Sequence, residues 1–456
     1  MHAGRAEETT SLLSSGHGVQ VFTEEGHTAI GSRDGLEPSP VLDLLDRIAA
    51  TARDGAALGL VATCRAALPT VVAREVPRGV EAFSRVDLHA VAKRLAELER
   101  EIASRAPGVT LRLAWGADLD AWRIFRSDGT DVLYAMPRAT LTVQATTAGR
   151  GDRHSISAAV AAPDPETLGG DAASALFVRR AVAAARLAAE LPEAPAHPAG
   201  SCPILIDYAL AKGLAHEAFG HAAEADGFRS SVLARDGRFR AGERVGTERV
   251  SIVDEPIAGD HAWQPFGPNG LPRERVTIVD HGVLRDALSD PWSATEADVT
   301  CRGSERAESY RSAPLPRMSN IRIEVDDPLP APGAFEDYGP DEVRELLSKA
   351  GVLGRHPRVA WLTGYNGGQV SSATGDFVFQ CKAIREISRD RTTLFRPAIF
   401  SGSMFGALGA IREAFGPLAL DAIGTCGKWG QSVPSSGGSH YFLVLDPDPS
   451  FRLGGS

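Results

Sequence analysis

Stretches of alternating polarity separate from stretches of helical period along this chain, and that contrast divides it. Gly18-Val19-Gln20-Val21-Phe22-Thr23 alternates as a strand, Glu24-Glu25-Gly26 reads as a turn, and His27-Thr28-Ala29-Ile30-Gly31 as the returning strand. Val41 to Ala57 repeats at helical spacing, with Leu42, Leu45, Ile48 and Ala49 on one side. Asp87 is placed to cap a second helix whose stripe is Leu88, Val91, Leu95, Leu98 and Ile102. Its charges Lys93, Arg94, Glu97 and Arg100 read as a solvated face.

From Val109 the period changes to two. Val109 to Trp115, Asp131 to Met136 and Thr140 to Ala145 read as strands, and Ser155 to Ala161 as a fourth. An Ala-rich helix follows, from Asp171 to about Leu191, and the Pro-rich run Pro192 to Gly200 is a linker that leaves His197 exposed. Beyond it, Cys202 to Asp207 reads as a buried strand that ends in a cap for a helix from about Tyr208 to Ala225.

Further strands are expected at Arg249 to Asp254, Arg275 to Val279, Ile321 to Val325, Val359 to Thr363 and Phe377 to Ile387. Asp280-His281-Gly282 is a hairpin turn, which explains His281 without a metal. Asp341 to Ala350 and Ser403 to Phe415 read as short helices. The fold class is therefore α+β: a mixed α/β N-terminal region, then a β-rich, sheet- or barrel-like C-terminal domain that carries the motif helix. The corresponding divisions are 1–108, 109–197 and 198–456.

Length and charge narrow the function. The 456 residues suffice for two or three domains, and 43% hydrophobic with 23% charged residues is ordinary for a globular chain. A net charge of −10 without a long basic run argues against nucleic acid or an anionic membrane as partner. No apolar run approaches a membrane span, and the first residues lack a signal-peptide core. Five scattered cysteines make no disulfide framework, which points to a reduced, cytoplasmic setting.

The chemistry concentrates in Ala215-His216-Glu217-Ala218-Phe219-Gly220-His221-Ala222-Ala223-Glu224-Ala225-Asp226. Its His-Glu-x-x-x-His spacing is one residue longer than the zincin motif. In an ideal helix imidazoles five apart lie roughly 140° apart, too divergent for one ion. A π-bulge or helix break repairs this, with Gly220 as the residue that tolerates the distortion. A satisfied pair of histidines is the competing reading. Near the C-terminus, Gly424-Thr425-Cys426-Gly427-Lys428-Trp429-Gly430-Gln431 offers a thiolate between glycines. Two His and one Cys leave a fourth zinc position for water. Spacing alone does not choose Cys426 over the other four cysteines.

Together these stretches resemble the TldD/PmbA family on its metal-bearing TldD side. So do Glu308-Ser309-Tyr310 with Pro316-Arg317-Met318-Ser319-Asn320, and Gly367-Gly368-Gln369-Val370 with Gly375-Asp376-Phe377-Val378-Phe379. The resemblance runs from about residue 200 to the end. It implies a zinc peptidase with His216, His221 and Cys426 as metal ligands and Glu217 as catalytic base. It also implies a peptide substrate gripped by strand addition, and a heterodimer with a metal-free PmbA/TldE-type subunit; a homodimer is the alternative.

Relative to the family the N-terminal part looks shortened, and Ser435-Ser436-Gly437-Gly438-Ser439-His440 departs from the usual pattern beside the cysteine loop. Glu224 and Asp226 are read either as orienting a metal-bound histidine or as helix-end carboxylates. Lys428 and Gln431 are read as facing the cleft, His440 as a substituted functional group or a bystander, and Cys64, Cys202, Cys301 and Cys381 as structural. Two further function classes stay open: a tailoring hydrolase cutting an amide of a modified amino acid or natural-product precursor, and a non-catalytic subunit.

Overall fold

The structure is a computed structural model that describes residues 1, 5–23, 28–37, 39–54, 68–148 and 153–454. Cys64 and the turn expected at Glu24-Glu25-Gly26 lie outside the described residues.

The first hairpin pairs Gly16–Phe22 with Thr28–Asp34. It is followed by the helix Ser39–Asp54. The buried face of that helix is Leu44 and Ala52 with Ile48 half-buried, not Leu42 and Leu45, which are exposed. Gly31 sets this choice, because a Cβ there would lie 2.3 Å from Ile48 Cδ1 and 3.5 Å from Leu44 Cδ1. The helix thus rests on the hairpin through the i, i+4, i+8 row that starts at Leu44.

A four-stranded sheet comes next, built on the long strand Asp131–Ala148. That strand pairs with Thr110–Phe125 along one edge, and with Val72–Glu75 and then Arg153–Ala162 along the other. The sequence reading broke it in two at Pro137. The break is absent because residues 135–138 fall between the two partners of the second edge, where a missing N–H costs no ladder bond. Two helices cover one face: Leu88–Arg105, capped by Asp87 as expected, and Asp171–Glu190. His197, expected to be exposed, is folded in: its side chain is 6% exposed and meets Phe395 edge-on at 5.0 Å.

The C-terminal part is organised by a 13-stranded mixed sheet that does not close into a barrel. Its buried strand Ile204–Asp207 runs parallel to Arg358–Ser371 and antiparallel to Gln431–Leu445. Gln431–Leu445 also takes Asn320–Val325 as a parallel neighbour and Ile411–Ala419 as an antiparallel one. The helix expected over Ser403 to Phe415 is only Met404–Gly409; the chain then joins the sheet as Ile411–Ala419. Ile411 and Phe415, both buried, are better satisfied by pairing with Leu445 and Phe442 than on a helix. A core containing Leu210, Leu214, Phe219, Ile252, Ile278, Ile321 and Phe379 surrounds the motif segment.

Candidate metal centre

Asp207 terminates its strand and starts the motif segment. One carboxylate oxygen accepts Leu210 N at 3.0 Å, and the other accepts Gly364 N at 2.5 Å, which ties the 358–371 strand to the helix start. The segment runs as an α-helix over Tyr208–Gly213, then as a π-helical turn over Leu214–Gly220, then as a 3-10 turn over His221–Ala223. The wide turn is closed by the His221 N–H donating to His216 O, an i→i+5 bond between the two histidines themselves. Five residues therefore complete one turn, and the rings meet at 5.1 Å and 89°.

Gly220 is needed here for a different reason than conformational tolerance. Its φ of −59° and ψ of −58° are ordinary right-handed values, and a Cβ would fall 1.9 Å from Met318 Sδ. The motif glycine lets the Pro316–Asn320 block pack directly on the turn.

Cys426 arrives on the strand Gly424–Lys428, opposite Val433. The 15-residue strand Gln431–Leu445 joins the two halves: its start holds the cysteine hairpin, and Phe442 sits opposite Asp207, where the motif segment begins. The fully buried Arg317 donates to the Cys426 carbonyl. As a result one ligand atom each from His216, His221 and Cys426 lie within 4.8 Å of one another, with Cys426 Sγ 3.8 Å from His221 Nε2.

The electrostatics set a neutral imidazole beside a coupled imidazolium and thiol, whose shared proton an ion would displace. His216 is buried, and burial followed by the nearby Lys212 and His221 charges holds its imidazole well below its usual range, hence neutral. Its Nδ1 is buried with no hydrogen-bond partner among the described residues. Burial opposes the imidazolium of His221, but Glu224 and Cys426 outweigh it and raise the ring to about 10. Burial also opposes the Cys426 thiolate, yet the bond and charge from His221 win and lower that thiol, toward the ligating form. Two imidazoles and a thiolate match a zinc donor set.

Glu217 stands beside this trio. Its Oε2 is 4.0 Å from His221 Nε2, and its Oε1 accepts Tyr365 OH at 3.3 Å. Burial raises its carboxyl above the usual range. Tyr365 reaches it because Gly213 leaves room, where a Cβ would stand 2.8 Å from the ring, and because the strand bulges between Tyr365 and Gly368. Asn366 and Gly367 therefore form a bulge within paired strands, with Gly367 at φ +104°, and Gly368 is back in register opposite Phe379.

The opposite edge of His221 is supported from behind. Its Nδ1 lies 3.2 Å from Glu224 Oε2, which pairs with Lys428 Nζ at 2.9 Å, and Lys428 also pairs with Asp226 at 2.7 Å. Glu224 thus lies against the ring of His221, and Asp226 is linked to it through Lys428. Lys428 faces these carboxylates rather than the cleft. Gln431 holds a neighbouring loop, accepting Glu308 N and donating to Ala313 O. His440 is a strand fastener: Nε2 accepts Val325 N at 3.2 Å and Nδ1 donates to Gly416 O at 2.6 Å. His281 sits at φ +46° in its hairpin turn and pairs with Asp280 and Asp326. Lys212, Tyr365 and Arg317 escaped the sequence reading, although a lysine inside the apolar run Leu210–Leu214 and an arginine inside the Pro316–Asn320 block were the available signals.

Comparison with known proteins adds the following. Residues 199–425 match the family described as PmbA/TldA metallopeptidase C-terminal domain, a span that stops one residue short of Cys426. A metalloprotease of Methanocaldococcus jannaschii is 31% identical over 266 residues, 58% of this chain and 53% of that protein. A metalloprotease TldD homolog of Haemophilus influenzae is 30% identical over 273 residues, 59% and 52% respectively. The chain thus spans about half the length of the curated relatives it matches. The crystal structure of TldE from Thermococcus kodakarensis superposes with a TM-score of 0.70 at 14% identity, over 94% of this chain and 88% of that one, a likeness of fold alone. Among the described residues no helix is long and apolar enough to cross a membrane.

Proposed function

We propose, from the premise that this chain belongs to the TldD/PmbA family, that it is a zinc-dependent metallopeptidase acting on short or unfolded peptides. The observation that carries the reading is the meeting of His216, His221 and Cys426 ligand atoms within 4.8 Å, beside the half-buried carboxylate of Glu217. His216, His221 and Cys426 would hold the ion. Zinc, when bound, supplies Lewis-acid polarisation of a carbonyl and lowers the pKa of water.

The remaining work belongs to the chain. Glu217 accepts the proton of the attacking water and returns it to the leaving nitrogen; its raised carboxyl is matched to both transfers. Tyr365 fixes the Glu217 carboxylate, and Glu224, backed by Lys428, fixes the ring of His221. A metal-free PmbA/TldE-type subunit as partner is part of the same reading and rests on the family. So is cytoplasmic residence.

The test is zinc content beside peptidase activity. Glu217→Ala keeps the metal and loses turnover, whereas Cys426→Ala loses both. Full activity in either variant overturns the assignment. A protein that binds zinc but cleaves only small amides would move it to the tailoring hydrolases.

A further inference from the structure

Lys212 lies one helical turn before His216 and is 6% exposed. Its environment differs from that of Lys428, whose charge is neutralised in place by Glu224 and Asp226. Among the described residues Lys212 Nζ has one hydrogen-bond partner, the neutral Ser435 Oγ at 3.0 Å, and no carboxylate reaches it. The acidic groups whose field it feels are Glu217, then Cys426 and Asp260, and each is committed elsewhere, Cys426 to His221. Glu217 is held by Tyr365, and Asp260 accepts from Ser436, Asn320 and the Ala262 N–H. An ammonium with two N–H bonds unused and no carboxylate in contact is costly to bury. Such a group is retained where a ligand brings the missing anion.

The surroundings are shaped for one. Gly424, opposite Ser435 in the cysteine hairpin, leaves space that a Cβ would narrow to 3.3 Å from Nζ. Next to Asp260, His261 has a buried Nδ1 with no partner among the described residues. Its ring is held neutral, at about 4, by burial and then by Arg138, Arg306 and Lys212. Arg306 donates to the Pro434 carbonyl, one residue before Ser435. The segment that departs from the family pattern thus supplies, at Ser435, the hydrogen-bond partner of the Lys212 ammonium. Lys212 sits four residues before His216, about 6 Å along the helix axis, or the length of one to two extended residues.

We infer that Lys212, with Ser435 beside it, forms a subsite for a carboxylate that the substrate carries within one or two residues of the bond to be cut. The inference rests on the hydrolase reading for its meaning, because it names the chemical class of that enzyme's substrate: short peptides or amides with a nearby acid group. The group is either the α-carboxylate of a chain end or an acidic side chain.

Binding and turnover are read separately. In zinc-loaded Glu217→Gln full chain, N-acetyl-Ala-Ala acid, its amide, and N-acetyl-Glu-Ala amide are titrated by calorimetry. An anion met by a buried ammonium should bind about tenfold or more tighter than its neutral isostere. At least one of the two acids binds with that margin over N-acetyl-Ala-Ala amide; which one does identifies the source of the carboxylate. The margin disappears in Lys212→Met and shrinks in Ser435→Ala, which keeps the test alive if the lysine variant does not fold. Equal binding of all three ligands, or a margin that survives loss of the ammonium, overturns the inference. Wild-type turnover of the same ligands reports on the hydrolase reading independently: cleavage without acid preference sinks the subsite alone, and acid preference without cleavage sinks the peptidase alone.

Discussion

Replacing Lys428 with methionine tests the support behind the metal centre. The substitution keeps the volume and removes the charge that joins Glu224 at 2.9 Å to Asp226 at 2.7 Å. The three side chains are 13%, 3% and 15% exposed, so water cannot replace the ammonium. Breaking a buried pair by deleting one partner costs about 3–5 kcal/mol. Glu224 retains His221 at 3.2 Å, which places the expected loss at the lower end, about 3 kcal/mol. The functional effect travels through the same carboxylate. Without Lys428, Glu224 no longer holds one position, and the ring of His221 is set less firmly; loss of such support lowers metal affinity by about 10–100-fold. Urea denaturation of zinc-free protein measures the first quantity, and zinc competition against a chromophoric chelator the second. In a Lys428→Met, Glu224→Gln double variant part of the stability should return, because one uncompensated charge is gone. A stability loss below about 1 kcal/mol, the value of an exposed pair, together with unchanged zinc affinity would refute the reasoning.

Other expectations concern single contacts. Gly220→Ala places a methyl group against Met318 Sδ; overpacking of this kind costs about 1–3 kcal/mol, more than the helix-propensity gain of about 1 kcal/mol, so denaturation should show a net loss. Tyr365→Phe removes the bond to Glu217 and should lower kcat about fivefold, the worth of roughly 1 kcal/mol, with zinc content unchanged; an unaltered kcat would free Tyr365 of that role. Glu305 is buried, and burial, then Asp290, raises its carboxyl from 4.5 to about 7 against the opposing pull of its own backbone N–H, Arg273 and Asn269. The folded chain therefore keeps a proton that the unfolded chain releases. The Glu305 contribution to stability is highest below pH 4.5, falls between pH 4.5 and 7, and levels off above, by on the order of 3 kcal/mol. Glu305→Gln should remove most of that decline, and a variant with the wild-type slope would contradict the assignment.

What the sequence disclosed was what a short pattern can encode. The histidine spacing forced a choice between no shared ion and a deformed helix, and the i→i+5 bond from His221 to His216 is the deformation. Asp87 and Asp207 cap their helices because capping is local. Long-range placement was not written in any window. Leu42 and Leu45 have the right period, yet the hairpin beneath offers its gap at Gly31 to Leu44 and Ile48. Pro137 reads as a break until the gap between its two neighbouring strands is known. The roles of Lys212, Arg317 and Lys428 depend on partners 100 to 225 residues away, and a buried cation looks the same in sequence as a solvated one.

The claim on which the rest depends is one ion shared by a π-turn and a distant cysteine hairpin. Zinc-edge X-ray absorption on the purified full chain tests it most directly. The account predicts one zinc per chain with two imidazole nitrogens at about 2.0–2.1 Å and a single sulfur at about 2.3 Å, the sulfur shell vanishing in Cys426→Ser. A zinc shell without sulfur in the wild-type protein, or a sulfur shell that persists in that variant, would contradict it.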